Sequence, residues 1–221
     1  MNTEQARFNM IEQQIRPWEV LDTAVLQLLS VVKREDFCPP AHRALAFVDM
    51  EIPLGDPANT GEAMLAPKVE ARLLQDLAIQ KHETVLEIGT GSGYMAALLA
   101  HRAQQVTTLE INPVLAATAR ANLQRAGVHN TDVQVADGAQ VGATQGPFDV
   151  IVLSGSVAEV PPALLALLKT GGRLAAIVGQ EPVMRATFVT RTGEAAFRSV
   201  QPWDTLAPRL LHFPEPSRFS F

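Results

Sequence analysis

Three glycines at alternate positions, in Val85-Leu86-Glu87-Ile88-Gly89-Thr90-Gly91-Ser92-Gly93-Tyr94, make the segment best suited to hold a ligand. A glycine turn between a strand and a helix lets a ligand approach the backbone and meet the first helix N–H groups. The spacing Gly89-x-Gly91-x-Gly93 differs from the G-x-G-x-x-G that seats a dinucleotide pyrophosphate. It suits a ligand without phosphate at that point. Read by itself, the loop is also compatible with a plain tight turn. Glu110 closes a predicted strand, Val106 to Leu109, about 20 residues past the loop, where an acidic side chain reaches ribose hydroxyls. A carboxylate there would repel the extra phosphate of NADP. At the end of the next strand, Ala136-Asp137-Gly138 offers an acceptor for an adenine amino group. Ligands of open α/β sheets lie at these strand ends.

The site expected from these residues comprises Glu87, Gly89, Thr90, Gly91, Ser92, Gly93, Glu110, Ile111, Asp137 and Gly138, with Ser154 at the end of a fourth strand. An NAD-dependent oxidoreductase fits the position of Glu110 but not the glycine spacing.

The elements that must position these residues follow from periodicity. Phe8, Ile11 and Ile15 recur at helical spacing, and Asp22 is placed to cap a second helix bearing Val25, Leu26, Leu29 and Val32. Residues 37–67 are irregular and rich in Pro and Gly, with apolar interludes at Leu45 to Phe47 and Ile52 to Leu54 that predict a packed loop. A helix through Val69, Leu73, Leu74 and Leu77 precedes the strand Thr84 to Ile88. Helices from Tyr94 to His101, from Pro113 to Arg125 and after Pro161-Pro162 alternate with strands at Val106 to Leu109, Val133 to Val135, Phe148 to Leu153 and Arg173 to Val178. That alternation predicts parallel βαβ units with right-handed crossovers, a Rossmann-like α/β fold. Thr192-Gly193 lies between Val183 to Thr190 and Ala195 to Val200, predicting an antiparallel C-terminal hairpin. The last stretch, from Trp203 to Phe221, reads as a strand or arm packed on the body through Leu210, Leu211, Phe213, Phe219 and Phe221. A single domain is expected: residues 1–66 as helical cap and active-site loop, 67–180 as ligand-binding core, 181–221 as hairpin and tail.

Composition narrows the function. The 221 residues carry 18 Lys and Arg against 23 Asp and Glu, a net charge of −5 without a basic cluster, which argues against nucleic acid. No apolar run reaches the ~18 residues of a bilayer span, and the N-terminus lacks a signal-peptide pattern, so a cytoplasmic protein without membrane contact is expected. Cys38, the one cysteine, suits a reducing compartment and reads as a small buried hydrophobe. His42, His82, His101, His129 and His212 show no metal-ligand spacing, and no metal is expected. Oligomeric state is not legible.

The order of Glu87 to Tyr94, Glu110, Asp137-Gly138, Phe148-Asp149-Val150-Ile151 and Leu167-Leu168-Lys169-Thr170-Gly171-Gly172 resembles a class I S-adenosylmethionine-dependent methyltransferase. More narrowly, Met10-Ile11-Glu12-Gln13-Gln14-Ile15, Arg34-Glu35-Asp36-Phe37-Cys38-Pro39, Asp49 before Pro53-Leu54-Gly55, and Glu159 to Leu165 resemble the protein-L-isoaspartate O-methyltransferase family. The resemblance implies S-adenosyl-L-methionine as methyl donor and proteins or peptides with isoaspartyl residues as acceptors.

One departure from that family touches the chemistry. Its members carry Thr-Ile-Ser-Gln-Pro before the first core helix, the serine facing donor and substrate carboxylate. Anchored on Pro67, this chain reads Met64-Leu65-Ala66-Pro67, so Leu65 takes the serine position and Ala66 the glutamine position. Leu65 and Thr60 are therefore the loop positions assigned to the reacting centre, with Thr60, Ser154 and Ser156 as hydroxyls able to compensate. Three readings stay open: methylation of isoaspartyl carboxylates, methylation of a different and less charged acceptor, and donor binding without turnover.

Overall fold

A computed structural model describes residues 2–55, 61–142 and 146–215. Chain entry is helical. α1 (Thr3–Met10) is capped by Asn2, whose side chain accepts from the Glu4 and Gln5 N–H groups, and runs on into a wider turn, Ile11–Ile15. Asp22 caps α2 (Thr23–Val31) through the Ala24 N–H, as its place before the apolar run predicts. One expectation fails here. Phe8 is 58% exposed, whereas Ile11 and Ile15 face the core as expected and Met10 takes the place of Phe8. The wider turn that follows Met10 rotates the buried stripe away from the spacing of a regular helix.

Residues of the irregular stretch form a 3-10 segment, Pro40–Phe47, and a small antiparallel pair, β1 (Ile52–Pro53) with β2 (Ala63–Met64). Its apolar interludes pack as expected, with Ala46, Phe47 and Ile52 buried. Pro67 then opens α3 (Pro67–Leu77), a position where its missing N–H costs nothing.

From there strands and helices alternate: β3 (Thr84–Ile88), α4 (Tyr94–Arg102), β4 (Gln105–Glu110), α5 (Pro113–Arg125), β5 (Thr131–Val135), β6 (Phe148–Val157), the short α6 (Pro162–Ala166), β7 (Leu168–Gln180), β8 (Val183–Arg191) and β9 (Phe197–Asp204). They make one seven-stranded sheet in the order β5-β4-β3-β6-β7-β8-β9. β5 through β7 are parallel, and β8 and β9 run antiparallel as a C-terminal meander. The expected hairpin is present, shifted so that β9 extends to Asp204. β6 and β7 are longer than predicted, because β6 pairs on past Leu153 through Ser156 and Val157, and β7 already begins at Leu168, opposite Phe148.

Period-two alternation sends the side chains of each central strand to opposite faces. Val85, Val106, Val150 and Val152 join α2, α3 and α4 in the larger core, whereas Leu86, Ile88, Ile151 and Leu153 pack on the other face with Leu164 and Phe213. Between β4 and β6, strand β3 is where the chain's direction of travel across the sheet reverses. Such a switch point leaves a crevice at the strand ends, and that crevice holds the site.

Candidate functional site

Gly89, Gly91 and Gly93 all have positive φ, at 92°, 54° and 86°. Gly93 starts α4, and a Cβ there would press within 3.3 Å of Ala119 and Leu123, so the loop's seat against α5 also requires glycine. Asn122 of α5 secures that seat by donating to the Ser92 carbonyl at 2.8 Å.

The loop's own N–H groups decide what it can bind. Gly89 N–H and Thr90 N–H donate to the Leu109 carbonyl, Gly93 N–H to the Thr90 carbonyl, and Gly91 N–H to Glu110 Oε2 at 2.8 Å. Donors already spent on protein acceptors cannot cradle a pyrophosphate. Glu110 takes a second backbone hydrogen bond, from Asn112 N–H at 2.9 Å, which fixes its carboxylate at the end of β4.

Around these ends lies an open cleft. Gly89, Gly91, Glu110, Ile111, Asp137, Gly138 and Ser154 line it, and Ile88, Leu109 and Leu115 supply apolar wall. Its described lining carries three carboxylates, Glu62, Glu110 and Asp137, against one guanidinium, Arg209. That balance fits a cationic ligand with hydroxyls and opposes a polyphosphate.

A smaller cavity continues behind the loop. Leu65, Thr90, Ser92, Tyr94 and Glu70 line it, and Gly89, Gly91 and Ser154 are shared with the cleft. Glu87 lines neither space. It lies fully buried beneath them, accepting from Thr108 Oγ at 2.7 Å and hydrogen-bonded with Ser154 Oγ at 2.7 Å, while Thr108 and Thr90 share a 2.6 Å hydroxyl contact. Burial pushes the Glu87 carboxyl up to about 8, opposed by its hydrogen bonds with the Thr108 and Ser154 hydroxyls and aided by the nearby Glu70 and Glu110. Gly93 lines neither space and acts through the loop geometry alone. Thr60 lies outside the described residues.

The C-terminal segment contributes to the cleft in a way that periodicity did not announce. After β9 the chain crosses the end of β6: Ser156 N–H donates to the Pro208 carbonyl at 2.7 Å, and Leu210 N–H donates back to Ser156 O at 2.9 Å. Leu210 sits so close that a Cβ on Gly155 would meet it at 2.8 Å. Phe213 is buried in the sheet's second core, and His212 Nδ1 lies 2.7 Å from Asp137 Oδ2. Although burial alone would raise it, His212, the Ala139 N–H and Gln140 hold the Asp137 carboxyl below its ordinary value. Glu62, tied to Asn112 Nδ2 at 2.6 Å, and Leu54 complete the opposite rim. The apolar anchors Leu210, Leu211 and Phe213 were the one sequence signal for this wall. Phe219 and Phe221 lie outside the described residues.

Comparison with known proteins gives the geometry a context. The sequence profile described as Protein-L-isoaspartate(D-aspartate) O-methyltransferase matches residues 5–202. A protein-L-isoaspartate O-methyltransferase of Koribacter versatilis is 38% identical, over 84% of this chain and 81% of that protein. One of Methanoculleus marisnigri is 40% identical, over 78% and 77%. A crystal structure of a Plasmodium falciparum protein described as a protein-L-isoaspartate O-methyltransferase, in complex with S-adenosyl-L-homocysteine, shares the fold with a TM-score of 0.77, covering 92% of this chain and 97% of that one at 18% identity.

Proposed function

Since this chain belongs to the protein-L-isoaspartate(D-aspartate) O-methyltransferase family, we propose that it methylates the free carboxylate of isoaspartyl residues in proteins or peptides, with S-adenosyl-L-methionine as donor. The observation that carries this reading is Glu110 beside a glycine loop whose Gly89, Thr90, Gly91 and Gly93 N–H groups already serve protein acceptors: a carboxylate is set where ribose hydroxyls need an acceptor. Glu110 holds the ribose, Asp137 and Gly138 border the adenine, and Gly89, Gly91 and Ile111 line the path between them.

The donor supplies a methyl group on a positively charged sulfur, which a carboxylate oxygen can displace. An isoaspartyl carboxylate is already ionised near pH 7, so no residue of the chain has to remove a proton. The protein's part is positioning and exclusion of water. Leu54, Leu210 and Leu211 shield the cleft, while the acidic rim favours a cationic donor over its neutral product.

A second reading has one observation in its favour. Leu65 is 3% exposed and packs among core residues, so the position of the family's serine offers no hydrogen bond to a charged acceptor. A less charged acceptor would suit it. Incubation with methyl-labelled donor separates the two. An isoaspartyl peptide is expected to gain a base-labile methyl ester that releases methanol, and its normal aspartyl counterpart to stay unlabelled. Equal, background labelling of both peptides would reject the isoaspartyl assignment.

A further inference from the structure

We infer that Ser154 supplies the hydroxyl that meets the acceptor carboxylate, in place of the donor that Leu65 lacks. This rests on the reading of the chain as a carboxylate methyltransferase. Among the described residues lining the main cleft, Ser154 alone has a hydroxyl side chain, and it also borders the smaller cavity behind Leu65. It therefore stands where the two spaces join. Ser156, its neighbour in the same run, is turned away: buried, it donates to the Ala207 carbonyl at 2.8 Å.

Local backbone explains the placement. Val152 pairs with Ala175 and Ser156 with Ile177, so four steps along β6 face only two along β7. The surplus residues bulge out of the ladder at Leu153-Ser154-Gly155, and bulges of this kind re-aim side chains beside active sites.

Hydrogen-bond direction makes Ser154 available. Its Oγ lies 2.7 Å from Glu87 Oε1, and an ionised Glu87 would consume the only hydroxyl hydrogen. Burial favours the neutral carboxyl instead, aided by the nearby negative charges of Glu70, which Arg34 pairs, and Glu110. A consistent chain then runs outward. Thr90 donates to Thr108, Thr108 to Glu87 Oε2, the Glu87 carboxyl proton to Ser154 Oγ, and Ser154 to the cleft. Glu87 is thus a positioning residue.

During transfer an oxygen–carbon bond forms, the carbon–sulfur bond breaks, and its electron pair passes to sulfur. Negative charge on the acceptor is greatest before this step and falls during it. A hydrogen bond to that carboxylate is therefore stronger in the bound state than in the transition state, and its loss appears mainly in KM.

The test uses the full chain with an isoaspartyl peptide and, separately, calorimetry with S-adenosylhomocysteine. Ser154→Ala is expected to raise the peptide KM about tenfold or more, with kcat held or slightly raised and product affinity held within about twofold. Ser154→Thr should restore much of the KM. Glu87→Val should raise KM similarly, and adding Ser154→Ala to it should change little more, as for residues acting as a unit. If Glu87→Val does not fold, the two Ser154 variants decide the matter. An unchanged KM in Ser154→Ala, or a loss of product affinity in its place, overturns the assignment while leaving the proposed activity standing. A wild-type chain that fails to methylate the peptide removes the activity and this inference with it.

Discussion

Glu110→Ala is expected to weaken S-adenosylhomocysteine binding by about 10- to 150-fold, the value of a hydrogen bond to a charged group lost from a buried site. The side chain is 6% exposed and serves two purposes. Its Oε2 and Oε1 anchor the Gly91 and Asn112 N–H groups, and its remaining lone pairs face the cleft. Truncation would remove the ribose acceptor and free the loop it holds. Glu110→Gln keeps the shape and one carbonyl acceptor, so its loss should be smaller. Titration calorimetry checks both; an affinity unchanged in Glu110→Ala would remove this residue from the donor site.

The second large effect concerns stability. Arg34 and Glu70 form an ion pair buried under the active-site loop, where Arg34 also donates to the Leu65 carbonyl at 2.8 Å and lies over the Tyr94 ring at 5.3 Å. Glu70→Ala would leave that guanidinium buried and unpaired, costing about 3–5 kcal/mol of unfolding free energy. Burial pushes the Glu70 carboxyl up to about 7 in spite of Arg34, so desolvation outweighs the pairing. The double change Arg34→Leu with Glu70→Leu should therefore cost much less than Glu70→Ala alone. The pH dependence has a defined sign. A carboxyl raised from 4.5 to about 7 stabilises the fold fully below the lower value, and that contribution disappears as pH rises through the upper one. Urea unfolding of wild type, single and double variants measures each of these.

Much of this arrangement could be read from the chain alone, and the boundary is physical. The glycine loop, Glu110 and Asp137 are local signals: each belongs to a strand end whose neighbours in sequence reveal it. The alternation of β3, α4, β4 and α5 likewise follows from apolar periods that short windows contain. Partners far apart in sequence leave no such trace. The contact between Arg34 and Glu70 spans 36 positions, and that between Asp137 and His212 spans 75. His212 has no metal-ligand spacing to mark it, and only the path of the chain across β6 brings it to the cleft. The bulge that turns Ser154 outward was hidden because Ser154-Gly155-Ser156 has no apolar alternation to continue β6. Phe8 misled in the opposite sense, since a regular helix was assumed where the turn widens after Met10.

The chemistry depends on an adenosine and a sulfonium amino acid filling the crevice over the ends of β3, β4 and β5. A crystal of the full chain grown with saturating S-adenosylhomocysteine tests this most directly. Density for the ribose on Glu110, the adenine beside Gly138 and the amino-acid end along Gly89 and Gly91 is the predicted result. A crevice still empty at saturation, or one that binds a nicotinamide dinucleotide in its place, would contradict it.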